Sequence, residues 1–128
     1  MTITEVSKKY NLSPDTLRYY ERIGLIPAVH RNKSGIRDYT EEACKWVEFI
    51  KCMRSAGMPI EALIEYVALF AQGDETIGAR KDLLIEQRKL LVEKMEEIKL
   101  TIERLDYKIE RYEQGLVVKE KELQEMEL

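Results

Sequence analysis

Residues 13–22 read SPDTLRYYER, and the strongest local structure signals in the first half of the chain lie in this segment. Serine is a favoured N-cap and proline is favoured at the first helical position, so Ser13 and Pro14 predict the start of a helix. The helix should run to about Ile23, because Gly24 follows it as a stop signal. At about 100° per residue, apolar positions 17 and 20 share one face. The stretch therefore predicts a short helix with one buried side.

A first short helix is predicted directly before this one. Thr4 can cap a helix that extends through Tyr10, with Val6 as its apolar contact. Asn11 is a residue type that ends helices in the left-handed conformation. Two short helices joined by a tight turn form a helix-turn-helix, a motif whose second helix enters the major groove of DNA.

The segment after the second helix predicts a small hairpin, which we call the wing (residues 28–39). Two short extended runs, 28–31 and 36–39, flank the turn-rich tetrapeptide Asn-Lys-Ser-Gly. The wing is basic, because it carries Arg31, Lys33 and Arg37.

Two further helices complete the predicted N-terminal domain. Thr40 can cap a third helix, which should end near Ala56 at Gly57. A fourth helix is predicted from Ile60 to about Ala71, where apolar residues recur at helical spacing. Gly73 should break it. The fold class is therefore mostly α, with a winged helix-turn-helix domain in residues 1–72.

From Thr76 onward, apolar residues recur with the seven-residue period of a coiled coil. A single helix cannot bury its own apolar stripe, so we expect it to pair with its copy in a second subunit. Residues 74–128 are predicted to form this dimerisation helix and a short C-terminal tail. The predicted dimerisation seam comprises Leu84, Leu91, Met95, Ile98, Ile102, Leu105, Ile109 and Tyr112, with Leu116 as the next position.

Charge is divided unevenly along the chain. The 128 residues are 35% charged, with a net charge of −3. Residues 1–57 carry 10 basic and 7 acidic side chains, a net charge of +3, whereas residues 58–128 carry 11 and 17, a net charge of −6. A basic half joined to an acidic half indicates a module that faces double-stranded DNA and a second part that does not.

The outward face of the second helix carries the side chains expected to contact DNA. Arg18 and Tyr19 point away from the face that Leu17 and Tyr20 share. Exposed arginines are usually ordinary solvated charges, but here a basic wing follows the helix-turn-helix. Arginine presents a planar fork to phosphate or guanine, and a tyrosine hydroxyl can donate to phosphate. We therefore interpret this face as a DNA-contacting surface.

Several residues at characteristic separations resemble the signature of the MerR family of bacterial transcription regulators. They are Leu17-Arg18-Tyr19-Tyr20-Glu21, then Gly24-Leu25-Ile26, then Arg31, Gly35, Arg37 and Tyr39, and finally Gly57 before the Ile60 helix. The resemblance covers residues 3–71, and the long helix matches the family's dimerisation element. One departure is Ile36, where the family often has an aromatic residue.

The resemblance implies a mechanism and a set of contacts. Family members bind a promoter palindrome as homodimers joined by an antiparallel coiled coil. They bend and untwist an overlong spacer so that RNA polymerase engages both promoter elements, a form of indirect readout. Carried over by residue, the implied DNA contacts are Thr16, Arg18, Tyr19, Arg37 and Tyr39.

The cysteines are the candidate sensing groups. Relatives that bind bulky drugs add a C-terminal ligand domain, for which we expect no room. Relatives that sense metals place cysteines after the dimerisation helix, but no cysteine or histidine follows Cys52. We therefore expect no metal and no cofactor. Cys44 and Cys52 lie eight residues apart, about 12 Å along one helix, which is too far for a disulfide.

Cys52 is the better candidate of the two. It lies nearly opposite a predicted inward stripe of Ala43, Trp46, Ile50 and Met53. Lys51 and Arg54 are its sequence neighbours, and cations favour thiolate. The chain resembles a short subgroup of the family that responds to aldehydes, other electrophiles or nitrosative stress through one cysteine in this helix. We therefore hypothesise that alkylation or oxidation of Cys52 triggers the response.

Other functions remain open at this point. The protein could be an effector-independent repressor or architectural DNA-binding protein of the same fold, or a coiled-coil adaptor that never touches DNA. An enzyme is not expected, because no nucleophile–base set, metal cluster or phosphate-binding glycine loop occurs. With no signal peptide or membrane span in the sequence, we expect a cytoplasmic, nucleoid-associated protein with no membrane contact.

Overall fold

The computed structural model describes residues 1–115, so the seam position Leu116 and the tail 117–128 lie outside the described residues. This part of the chain is mostly helical, as predicted, and contains no β-strand. The α-helices are α1 (Ile3–Tyr10), α2 (Pro14–Arg22), α3 (Glu41–Ser55), α4 (Ile60–Ala71) and α5 (Ile77–Glu113), with a 3₁₀ turn at Asp74–Thr76.

The sequence predicted most helix ends correctly and one incorrectly. Ser13 caps α2 by accepting from the backbone N–H of Thr16 (3.1 Å), and Asn11 ends α1 in the left-handed conformation (φ 53°). The predicted Thr4 cap of α1 is wrong. Thr2 is the cap, because its hydroxyl accepts from the Glu5 N–H (3.2 Å) while the Glu5 carboxylate accepts from the Thr2 N–H (2.8 Å). This reciprocal capping box satisfies two backbone N–H donors, those of Thr2 and Glu5. A cap at Thr4 would leave both of these donors without their side-chain acceptors.

The core lies in a compact unit that spans Met1–Lys89. α1 packs against α2 and α3, and every one of the first four helices contributes buried apolar side chains. The connection from α2 through the wing contributes Leu25, Ile26, Val29 and Tyr39. The wing is therefore anchored to the same core as the helix-turn-helix, and the two can act as one body.

The break between α4 and α5 agrees with the predicted helix stop at Gly73. Gly73 has a positive φ of 100°, which glycine adopts without strain. The buried hydroxyl of Thr76 donates in this turn, with the carbonyl oxygens of Leu69 and Gly73 at 2.6 and 2.7 Å. The compact unit continues beyond this break to Lys89, and a second unit begins at Leu90. The predicted boundary near residue 73 thus marks a turn between helices, while the first turns of α5 belong to the compact unit.

Candidate nucleic-acid interface

α2 presents one buried and one exposed face. Leu17 and Tyr20 are buried in the core, whereas Arg18 is exposed and Tyr19 is 38% exposed. Because consecutive residues are turned by about 100°, burying Leu17 and Tyr20 directs the two residues between them outward. The packing of α2 therefore places a guanidinium and a phenol on the surface of the compact unit.

The exposed side chains of α2 are held only by weak local contacts. Arg18 forms an ion pair with Asp15 (2.9 Å) in which both partners are solvent-exposed, and such pairs contribute little to stability. The Arg22 guanidinium lies over the ring of Tyr19, with its central carbon 5.5 Å from the ring centroid. Arg18 can therefore exchange Asp15 for a phosphate at small cost, while Tyr19 is kept on the surface.

The wing is a short hairpin between the two predicted runs, 28–31 and 36–39. Arg31 and Arg37 form an antiparallel bridge, the N–H of Asp38 donates to the carbonyl of His30 (2.7 Å), and the N–H of Asn32 donates to the carbonyl of Ile36 (2.9 Å). The side-chain oxygen of Asn32 also accepts from the backbone N–H groups of Ser34 (2.9 Å) and Ile36 (3.1 Å). This side chain satisfies donors within the turn and so supports the short hairpin.

Glu21 joins the wing to α2. Its carboxylate accepts from Nε of Arg37 (2.7 Å) and from the backbone N–H of Val29 (2.8 Å). Burial acts to raise the pKa of Glu21, but the hydrogen bonds from Arg37 and Val29 and the charges of Arg37 and Arg31 outweigh it and hold the pKa below its usual value. Glu21 is therefore ionised, and it connects the wing to α2.

The role of Glu21 was missed in the sequence interpretation, although its position carried a signal. Glu21 follows Leu17 by four residues and so lies on the same face of α2, the face that packs inward. A carboxylate on the buried side of a helix requires a partner. The basic wing nearby offered one.

Four of the five predicted DNA-contact residues have side chains at or near the surface. Arg18 and Tyr19 are exposed, and Arg37 is half-buried against Glu21. Thr16 is half-buried, and its hydroxyl lies 2.8 Å from that of Ser13. These four remain predicted contacts, with Thr16 already committed to the helix cap.

Tyr39 differs from the other four residues for which the resemblance implied a DNA contact. Only 1% of the residue is exposed, and burial raises the pKa of its hydroxyl. The cause is its position at the end of the wing, directly before α3, where its ring fills the core. Its hydroxyl is buried without a hydrogen-bond partner in the described part of the chain. In this conformation Tyr39 connects the end of the wing to the core of the compact unit.

The two cysteines of α3 differ in exposure. Cys44 is buried, with its sulfur 3.8 Å from that of Met1, and Cys52 is exposed. The predicted inward stripe of α3 is shifted, because the helix buries Cys44, Val47 and Ile50. Trp46 lies instead at the flank and packs against the aromatic rings of α4, 5.1 Å from Phe70 between centroids.

The cations expected beside Cys52 are engaged elsewhere. The Lys51 ammonium donates to the carbonyl of Tyr10, at the end of α1. Arg54 donates to the carbonyl of Met58 (2.8 Å), in the turn before α4. These contacts tie the end of α3 to α1 and to the turn before α4, so Lys51 and Arg54 have a structural role that the sequence interpretation did not include.

The described residues contain neither a candidate metal-binding group nor a candidate membrane-spanning helix. Among residues 1–115, no group of three or more His, Cys, Asp or Glu side chains could hold a metal ion. In the same range no helix combines the length and the apolar character that a membrane crossing needs.

α5 carries an apolar stripe that residues 1–115 leave largely exposed. No residue of the helix is fully buried. Of the predicted seam, Met95, Ile98, Ile102, Leu105 and Ile109 are each at least half exposed, and Leu84, Leu91 and Tyr112 are intermediate. Seam residues lie on one face of the helix, since they repeat every three or four positions. A continuous apolar face of this kind is typical of a surface that associates with another helix.

Comparison with known protein families gives two matches that together span most of the chain. Residues 1–69 match the MerR HTH family regulatory protein family, and residues 45–107 match the family described as MerR, DNA binding. The first match includes α2, the wing and Glu21, and the second includes Cys52 and most of α5.

Individual relatives agree with the family match. The HTH-type transcriptional regulator AdhR of Bacillus subtilis is 60% identical over 93 residues, which cover 73% of this chain and 66% of that protein. A solved structure described as a MerR family transcriptional regulator from Listeria monocytogenes is 45% identical, with a TM-score of 0.88 over 99% of this chain and 96% of that one. HiNmlR, a MerR family regulator lacking the sensor domain and solved bound to promoter DNA, is 29% identical, with a TM-score of 0.81 over 89% and 90% of the two chains.

Proposed function

The chain belongs to the MerR family of DNA-binding transcriptional regulators, and we propose that it binds a promoter palindrome as a homodimer and activates transcription by distorting the spacer DNA. Its relatives are regulators and not enzymes. In this proposal, RNA polymerase on the same promoter is the second partner. The trigger is an aldehyde, another electrophile or oxidative stress that modifies Cys52, and the protein acts in the bacterial cytoplasm at the nucleoid.

One observation carries the DNA-binding part of the proposal. Arg18 and Tyr19 project from the second helix of a helix-turn-helix whose inward residues are buried, and Arg37 lies on the wing that Glu21 joins to the same helix. We call Arg18, Tyr19 and Arg37 the reading surface. Arginine suits phosphate and guanine, and tyrosine suits phosphate. The DNA-bound relative HiNmlR supports a duplex as the ligand.

The exposed seam of α5 supports the homodimer. A palindrome has two half-sites, and a two-fold dimer presents two copies of the reading surface to them. Contacts at both half-sites can offset the free energy needed to distort the uncontacted spacer between them. Without association, each subunit could engage only one half-site and would leave the spacer undistorted.

The exposure of Cys52 supports a sensing role. An electrophile can reach its sulfur, whereas the sulfur of Cys44 is covered. Near Cys52 on α3, Lys51 binds the end of α1 and Arg54 binds the turn before α4. An adduct on Cys52 would therefore act next to the contacts that position the helix-turn-helix, and it would alter the packing of the compact unit against α5 of the second copy.

A second candidate is an effector-independent repressor or architectural protein of the same fold. It is favoured by the contacts of Lys51 and Arg54, which bind backbone carbonyls and so give the charged residues near Cys52 a structural role that needs no effector. The two candidates share the DNA complex and differ only in the role of Cys52.

The DNA-binding proposal is tested with Arg18→Ala and the DNA upstream of the protein's own gene. Removing one base-contacting or phosphate-contacting arginine should weaken binding about 10- to 100-fold, as measured by fluorescence anisotropy at fixed salt. Arg104→Ala, which removes the same side chain from the exposed surface of α5, is the matched control and should bind normally. Equal affinities for the two variants would remove α2 from the interface.

The sensing proposal is tested by aldehyde induction of a promoter fusion in cells that carry Cys52→Ser. We expect at least a ten-fold loss of induction, because the serine hydroxyl that replaces the thiol cannot form the thiol adduct at neutral pH. For an equilibrium constant, one decade corresponds to about 1.4 kcal/mol. Cys44→Ser controls for loss of a thiol in the same helix and should retain induction. Full induction in the Cys52 variant would remove Cys52 from the sensing mechanism. Unreactive cysteines in thiol labelling would favour the effector-independent candidate.

A further inference from the structure

The wing contains two arginines that face each other. Arg31 and Arg37 are partners in its antiparallel bridge, and like charges directly opposite one another destabilise such a pair. Arg31 donates to the carbonyl of Gly35 (3.0 Å), which orients its side chain along the turn without neutralising it. A nearby negative charge would therefore reduce the repulsion between the two arginines before DNA supplies phosphates.

Glu21 provides that charge and binds both arms of the wing. One oxygen accepts from Arg37 Nε in the second arm, and the other accepts from the N–H of Val29 in the first arm. The side chains of Glu21 and Arg37 are only 15% and 24% exposed, so solvent screens this pair less than a surface pair. The low pKa of Glu21, to which the charges of Arg37 and Arg31 both contribute, agrees with this assignment.

The contact also fixes the orientation of the Arg37 guanidinium. Arginine has five N–H donors in one plane, and the bond to Glu21 uses the Nε donor. Holding Nε in place sets the direction of the outer nitrogens, which are the ones that a phosphate or base would meet. Glu21 is also three residues from Arg18 on α2, so one short helical segment carries both the anchor of the wing and a member of the reading surface.

We propose that Glu21 is a positioning residue for DNA recognition: it holds Arg37 and both arms of the wing in a fixed arrangement relative to Arg18, so that helix and wing contact one duplex as a rigid unit. This inference rests on the proposed DNA binding. Its physical basis is preorganisation, since a wing that must be ordered during binding reduces the affinity for the matching sequence.

The test is Glu21→Gln in the full chain, with affinities measured for the promoter duplex and for a scrambled duplex of equal length. Glutamine can still accept from the Val29 N–H but lacks the charge that holds Arg37. Promoter affinity should fall about ten-fold, while affinity for scrambled DNA should stay the same or rise, because a negative charge near the phosphates has been removed. Glu48→Gln, which removes an exposed charge from α3, should leave the ratio of the two affinities unchanged.

A double-variant comparison shows whether Glu21 acts through Arg37. Arg37→Lys keeps the positive charge but loses the planar fork, so it should lower the promoter affinity as well. Adding Glu21→Gln to Arg37→Lys should cause little further loss, whereas independent roles would give additive effects. Circular dichroism melting of each variant confirms that the compared proteins are folded.

The outcomes separate this inference from the proposed function. A ratio that is unchanged in Glu21→Gln, or additive losses in the double variant, would overturn the positioning role and leave DNA binding intact. Failure of the unsubstituted protein to prefer its promoter over scrambled DNA would overturn DNA recognition itself, and the inference with it.

Discussion

α4 and α5 both carry apolar residues four positions apart, but they differ in what covers those residues. In α4, Leu63 and Val67 are buried in the compact unit, with 1% and 6% of each residue exposed. In α5, Ile98 and Ile102 are 52% and 50% exposed, although their spacing is the same. The difference shows that periodicity identifies residues that share a face and does not identify the chain that covers them. The α4 stripe stabilises the fold of one subunit, while the α5 stripe is available for association.

The largest effect is expected from a charge in the α5 stripe. In Ile102→Glu, a symmetric dimer would bury an unpaired carboxylate in each subunit, which costs several kcal/mol. The dissociation constant of the dimer should therefore rise about 100- to 1,000-fold. Sedimentation equilibrium measures this change. The matched control is Leu100→Glu, because Leu100 is 61% exposed but lies about 160° around the helix from Ile102.

This pair of variants tests whether the exposed stripe of α5 is an association surface. If Ile102→Glu sediments as the unsubstituted protein does, or if Leu100→Glu dissociates equally, the seam is misassigned. The α5 stripe would then need a different partner.

A truncation in the α4 stripe is expected to act on folding and not on association. Leu63→Ala should lower the free energy of unfolding by about 2–5 kcal/mol, because it removes buried methyl groups and leaves a cavity. Urea denaturation followed by circular dichroism gives this value, and the loss should be the same at every protein concentration. Ile36→Ala, at a 58% exposed wing position, is the control and should change stability by less than about 0.5 kcal/mol. A loss that depends on protein concentration would show that α4 also contributes to association.

The smallest expected effect concerns acid stability of the compact unit. Because the pKa of Glu21 is lower in the folded chain than its usual value of 4.5, its contribution is fully present above about pH 4.5 and is lost as the pH falls through the folded pKa. The unfolding free energy of the unsubstituted protein should therefore fall more steeply below pH 4.5 than that of Glu21→Gln. Urea titrations at several pH values between pH 3 and pH 6 give the unfolding free energy of each protein as a function of pH. The same pH dependence in both proteins would mean that the ion pair with Arg37 does not stabilise the fold.

The sequence predicted the elements that depend on neighbouring residues. Ser13, Pro14 and Thr40 mark the starts of α2 and α3, and Asn11 marks the end of α1, because caps act through hydrogen bonds within a few positions. The buried face of α2 was predicted for the same reason. The misplaced cap of α1 shows the limit of this approach, since Thr2 and Thr4 are equivalent residue types and the reciprocal contact with Glu5 selected Thr2.

The arrangement of the candidate site depended on contacts between distant residues. Tyr39 lies in the core and Glu21 binds Arg37, sixteen positions later, and neither fact follows from local spacing. Likewise, Lys51 adjoins Cys52 in sequence but binds the carbonyl of Tyr10.

The helices and the side chains that share a face were predictable from the sequence, since they follow from local hydrogen bonding and from the helical repeat. The family resemblance followed from motif residues at characteristic separations. The pairing of polar side chains and the burial of aromatic rings were visible only in the folded chain, because burial and charge pairing depend on segments brought together by the whole core. No short stretch of sequence specifies its neighbours in space.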